Sequence, residues 1–161
     1  MLDFPLITAP SFRARTREAR RVALFTGNYN HIADGVSFTL NRLVSYLENE
    51  GTEVLVFGPT VENPPVNHAG RFVSVPSVPA PGRREYRVSL GFPKAAKAAF
   101  DAFNPTLVHI ATPDFLGNRA LRYAKKQGVP VVASDLPGMA GIVRETGCGV
   151  LCDPTSAASI A

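Results

Sequence analysis

Three short stretches hold residue types able to bind or turn over a polar substrate. The first is Gly27-Asn28-Tyr29-Asn30-His31-Ile32-Ala33-Asp34-Gly35, which follows an apolar run and leads into a helical pattern. Amides at such a helix start, with the helix dipole behind them, favour a phosphate. Asn28 and His31 lie where a substrate can meet the loop, and Asp34, Gly35 and Val36 form its exit into the helix. The three-glycine dinucleotide spacing is absent, so the loop alone indicates an anion and nothing narrower. A cap at Asp34 and a turn at Gly35 are the competing structural readings. The second stretch is Thr112-Pro113-Asp114. Here Thr112 can cap a helix, Pro113 suits its first position and Asp114 complements its dipole. Capping accounts for all three residues, and a ligand role is the second reading. The third, Ser134-Asp135-Leu136-Pro137-Gly138, is ordinary turn chemistry.

Little else in the chain suggests catalysis. His109 sits inside an apolar run and reads as a satisfied core histidine, and His68 reads as a solvated loop residue. No serine, histidine and acid set is identifiable by local motif, and no ligand cluster suggests a metal. Cys148 and Cys152 on one strand stand about 13 Å apart. A disulfide needs less than ~7 Å, so apolar filling is their role.

These stretches need a frame to hold them, and the hydrophobic pattern supplies one. Val22 to Thr26 is a short continuous apolar run, as expected of a buried parallel strand. Val36, Leu40, Leu43, Val44 and Leu47 then recur at helical spacing up to Gly51, and Val54 to Phe57 is a second strand. Strand, helix and strand together make a βαβ unit. Further strands are predicted over 71–75, 107–111, 129–133 and 149–152. Helices are predicted over 94–103, from Thr112 to about Gln127, over 139–145 and from Asp153 onward. Residues 58–70 and 76–84 read as proline-rich loops, the second mobile and of a kind that often faces ligands. The prediction is an α/β, Rossmann-like domain with a parallel sheet of about six strands and helices on both faces. In such sheets ligands bind at the carboxyl ends of the strands, where all three stretches lie.

The chain has 161 residues, 45% of them apolar and 19% charged, which suits one globular domain. No apolar run reaches the roughly 18 residues of a membrane span. Residues 1–20 read as a flexible, solvated leader that is not a secretory signal, because Arg13, Arg15, Arg17, Arg20 and Arg21 follow its apolar start. The expected location is the cytoplasm, with a peripheral contact between those arginines and acidic lipid headgroups as the alternative. A net charge of +4 without an aromatic-interleaved basic stripe points away from nucleic acid.

Two segments resemble a known family. Arg21 to Tyr29 with Asp34 to Leu43, and then Val108 to Gly117, resemble the two signatures of the N-terminal domain of family-4 glycosyltransferases. The likeness spans about residues 21–134 and is nearest the group of α-mannosyltransferases and sulfoquinovosyl-type glycolipid synthases. It implies half of a GT-B fold, in which two Rossmann-like domains face each other across a cleft. It further implies transfer of a sugar from a nucleotide sugar, such as GDP-mannose or a UDP-sugar, to a lipid or saccharide acceptor. Anomeric configuration is retained, and no cofactor or catalytic metal is required. By that likeness Asp34, Gly35 and Val36 approach the donor phosphates, and Thr112, Pro113 and Asp114 line the cleft.

The likeness breaks after Gly128-Val129-Pro130-Val131-Val132-Ala133-Ser134. Residues 135–161 resemble instead the late part of the family's C-terminal domain, packed on or appended to the same unit. An internal deletion that joined the two domains at a shared strand motif explains this order. The basic residues and paired glutamates that hold the donor in the family are then missing, and Gly141 stands near the place of a further glutamate. The chain is thus read as a shortened glycosyltransferase without a donor site. The alternative is a non-catalytic domain that binds an acceptor, a nucleotide or a partner.

Overall fold

A computed structural model describes residues 19–134 and 140–152. The leader up to residue 18, the Asp135 to Gly138 turn and the helix expected from Asp153 lie outside the described residues.

The order of elements is β1 (Arg21–Phe25), α1 (Gly35–Asn49), β2 (Glu53–Gly58), β3 (Arg71–Ser74), β4 (Ser77–Ala80), β5 (Arg83–Ser89), α2 (Lys94–Phe103), β6 (Leu107–Ile110), α3 (Phe115–Gln127), β7 (Val131–Ser134), α4 (Ala140–Thr146) and β8 (Gly149–Cys152). Six strands form one sheet in the order β3-β2-β1-β6-β7-β8, and every pairing in it is parallel. This is the α/β, Rossmann-like sheet expected of one half of a GT-B fold.

Alternation along β1 explains the layers. Val22 and Leu24 turn to one face, where they pack with Leu40 and Val44 of α1 and with Val54 and Val56 of β2. Ala23 and Phe25 turn to the other face and meet Phe100 of α2 and Leu116, Ala120 and Leu121 of α3. The strands therefore read as unbroken apolar runs, because both faces are covered. Phe25 stacks on Phe57 with ring centroids 4.7 Å apart, and Phe92 meets both rings edge-on. Cutting Phe25 back to alanine would cost about 3–5 kcal/mol at such a site.

Two expectations need correction. Residues 76–84 do not form an open loop: most of them enter an antiparallel hairpin, β4 with β5, outside the main sheet. Its turn is built on Pro81 and Gly82, with Gly82 at φ +76°. That is the proline-then-glycine order of a type II turn, where the second position requires the left-handed region. Pro79 is tolerated within β4 because a two-stranded ribbon leaves one edge of each strand unpaired. The strand expected over 129–133 runs instead from Val131 to Ser134. Beyond it, β8 pairs in register with β7, Val131 opposite Gly149 and Ser134 opposite Cys152, so the last described strand completes the sheet edge.

Candidate functional site at the carboxyl edge of the sheet

The loop after β1 folds onto itself through its polar side chains. Asp34 is the N-cap of α1, and its Oδ1 accepts from the Ser37 amide at 2.9 Å. Its Oδ2 accepts from Asn28 Nδ2 at 2.8 Å. Both carboxylate oxygens thus turn inward. The cap leaves the first two helical amides, those of Gly35 and Val36, unengaged, and both residues are exposed. This is the geometry in which a helix start receives an anion.

Behind that start lie two buried acceptors. His31 is 7% exposed, and its Nδ1 lies 3.1 Å from the Pro59 carbonyl oxygen. Donation to that oxygen places the proton on Nδ1 and leaves Nε2 as an acceptor, which has no partner in the structure. Asn28 Oδ1 is likewise buried without a partner. Buried acceptors of this kind call for a hydroxyl, an ammonium or a water. Burial holds the His31 pKa below its ordinary value, and the charge of Arg87 adds to the effect. The bond to Pro59 and the charge of Asp34 oppose it. Arg87 belongs to β5, in the hairpin outside the main sheet. Arg87 is itself held by Ser77, its Nε 2.7 Å from Oγ and its Nη2 2.8 Å from the carbonyl oxygen.

Thr112, Pro113 and Asp114 form a second rim beside the first. Asp114, and not Thr112 as the sequence suggested, is the N-cap of α3, so Pro113 precedes the helix; Asp114 accepts from the Gly117 amide at 2.7 Å. Its other oxygen accepts from the Thr112 hydroxyl at 3.1 Å, and the same hydroxyl accepts from the Gly27 amide at 2.7 Å. The chain Gly27–Thr112–Asp114 ties the two rims together. A Cβ on Gly27 would come within 2.5 Å of Asp114 Oδ2, so the close approach needs glycine there. Burial raises the Asp114 pKa above its ordinary value, against the lowering effect of its hydrogen bonds.

All eight sequence-named residues thus lie along one edge, in two linked groups. Asn28, His31, Asp34, Gly35 and Val36 surround an open helix start. Thr112 and Asp114 form a closed clamp, and Pro113 sits exposed between them. His68 is exposed, as expected, and His109 lies half-buried in β6 with its pKa lowered by burial. Among the described residues, no group of three metal-ligating side chains gathers. Sequence reading missed Arg87, because residues 85–93 show no pattern that assigns them to an element.

Residues 33–135 match the profile of Glycosyltransferase Family 4, which is more than half of the chain. The chain belongs to glycosyltransferase family 4. This family-4 chain is 32% identical over 136 residues to a GDP-mannose-dependent alpha-mannosyltransferase of Mycolicibacterium smegmatis, covering 81% of the chain and 36% of the relative. A GDP-mannose-dependent alpha-mannosyltransferase of Mycobacterium tuberculosis is 34% identical over 131 residues, with 74% and 34% covered. A sulfoquinovosyl transferase of Arabidopsis thaliana is 26% identical over 135 residues, with 83% and 26% covered. The family-4 chain therefore spans about a third or less of the length of these curated relatives. No solved structure matches it. Among the described residues, no helix is long and apolar enough to cross a membrane.

Proposed function

We propose that this chain serves in hexosyl transfer from a nucleotide sugar, GDP-mannose or a UDP-sugar, to a lipid or saccharide acceptor. The observation that carries the reading is the open start of α1, where Gly35 and Val36 are exposed and their amides have no partner, beside the buried acceptors of Asn28 and His31. Retaining transfer builds negative charge on the leaving phosphate, and free amides at a helix start stabilise such charge. In this reading Asp34 sets the helix start, Asn28 and His31 offer their acceptor atoms to a hydroxyl, and the Thr112–Asp114 clamp keeps both rims in register. The nucleotide sugar is a substrate, no resident cofactor or metal takes part, and the work is done in the cytoplasm.

We further propose that residues 19–152 alone hold the donor only weakly, through its phosphates, and do not turn it over. The family match ends at residue 135, where the likeness to an N-terminal domain also ends, and this agreement supports a junction there. Calorimetric titration with GDP-mannose and with UDP-glucose, followed by a donor-hydrolysis assay, tests both parts. Binding with a Kd of about 1 mM or weaker and no hydrolysis is expected. A Kd tighter than about 10 μM with hydrolysis overturns the loss of the donor site. No binding of either sugar nucleotide at about 10 mM overturns the role of the α1 start and leaves the non-catalytic domain as the reading.

A further inference from the structure

A second concave surface lies away from the α1 loop. It is a groove of about 410 Å³ bounded by residues 90–93, α2 and one face of α3. Its cations are Lys97 from α2 and Arg119, Arg122 and Lys126 from α3, and no acidic residue lines it. Among the described residues, none of these four forms an ion pair. The nearby carboxylate of Asp101 is committed to the Tyr123 hydroxyl, at 2.9 and 2.8 Å. Two of the cations are held over aromatic rings: Arg119 lies 5.0 Å from the Phe115 centroid and Lys97 lies 5.3 Å from that of Tyr123.

Ordinary helix chemistry does not explain this charge. Lys125 and Lys126 in the last turn of α3 complement its dipole. Arg119 and Arg122 are not in that turn. They stand three residues apart, and Lys126 follows four after Arg122, so like charges face each other along the helix. Such spacing is destabilising, and α3 contains no acidic residue to offset it. A cluster of this kind, lining a concavity large enough for a small polar ligand, is suited to an anion. The groove also opens at Pro93, the cap residue of α2, which gives the first-turn amides no side-chain acceptor.

We propose that this groove binds a phosphate-bearing group, with Arg119 and Arg122 as its forked ligands and Lys97 and Lys126 as flanking point charges. Guanidinium pairs suit phosphate oxygens through paired N–H donors. The phosphate can belong to a lipid headgroup or to a soluble phosphorylated compound. Leu90 and Phe115, exposed at 61% and 48%, stand at the mouth and suit the first source. The inference stands whether or not a nucleotide sugar binds at α1.

The test compares two probes on the full chain. One is sedimentation with vesicles of phosphatidylcholine with and without phosphatidylglycerol; the other is titration with glycerol 3-phosphate. Wild-type chain should bind the anionic vesicles, the soluble phosphate, or both, and the pattern identifies the source. Arg119→Gln with Arg122→Gln should weaken that binding by about tenfold or more while the thermal unfolding temperature does not fall. Lys97→Gln, on the other helix, should weaken it in the same direction and serves if the double variant folds poorly. Gln at Arg13, Arg15 and Arg17 should leave it intact. No binding in either arm overturns the proposal, and so does wild-type affinity in the folded groove variants or loss of binding only with the leader changes.

Discussion

The two helix starts at the carboxyl edge, α1 and α3, carry the same local device and reach opposite outcomes. Each follows a parallel strand, each has an aspartate N-cap, and each aspartate accepts from the amide three residues on. At α1 the cap bends inward to Asn28 and the next two residues stay exposed. At α3 the cap reaches the Thr112 hydroxyl, which in turn holds Gly27; Phe115 is exposed as Gly35 is, but Leu116, the counterpart of Val36, is buried. One start is left open to a ligand, while the other is spent on holding two loops together. A capping motif alone does not distinguish these fates; the partner of the aspartate's second oxygen does.

Glycine substitution gives the sharpest contrast. A Cβ on Gly117 would collide with the Thr112 carbonyl oxygen and lie 2.9 Å from Ile110 Cγ2, whereas a Cβ on Gly35 meets nothing within 4 Å. Gly117→Ala should therefore cost about 2–3 kcal/mol in chemical unfolding. Gly35→Ala should stay within about 0.5 kcal/mol of wild type. Equal losses would erase the distinction between a closed and an open start.

Removing the caps should show the same order with smaller effects. Asp114→Ala should cost about 2 kcal/mol, because it also unties Thr112 from its acceptor. Asp34→Ala should cost about 1 kcal/mol, the ordinary loss of a cap. Thermal melts of the two variants at one pH would reveal a reversal.

Titration separates the rims by sign. Burial lowers the His31 pKa, so the unfolded chain binds the proton more readily. Its stabilising contribution is complete above the unfolded value of about 6.5 and is lost as pH falls below it. Burial raises the Asp114 pKa, so its contribution is present in acid and is lost as pH rises from about 4 through the raised value. His31→Gln should flatten the stability curve between about pH 5 and 7, and Asp114→Asn should flatten it in the acid range only. Denaturant midpoints measured from acid to neutral pH would check both, and slopes of the same sign would contradict the assignment.

Legibility in the sequence followed the range of the interactions. The runs Val22 to Phe25 and Val54 to Phe57, and the helical stripe through Leu40 and Val44, were readable because a parallel strand or an amphipathic helix stamps its burial on neighbouring residues. The hairpin was misread because Pro76, Pro79 and Pro81 dominate its composition, although Pro81-Gly82 was a turn signal in plain view. Arg87 was missed because residues 85–93 were assigned to no element. The clamp was invisible for another reason: Gly27 and Thr112 lie 85 residues apart, and only the sheet brings them together. The groove on α3 left no signal in the sequence, since one helix does not reveal what packs beside it.

The central claim is that the open α1 start receives the donor phosphates and the clamped α3 start does not. Amide NMR of the 15N-labelled chain during titration with GDP-mannose tests it at the atoms concerned. The account predicts the largest shifts at Gly35 and Val36, with Leu116 and Gly117 unmoved. Shifts centred on the α3 start, or none at Gly35 and Val36 while other amides respond, would contradict it.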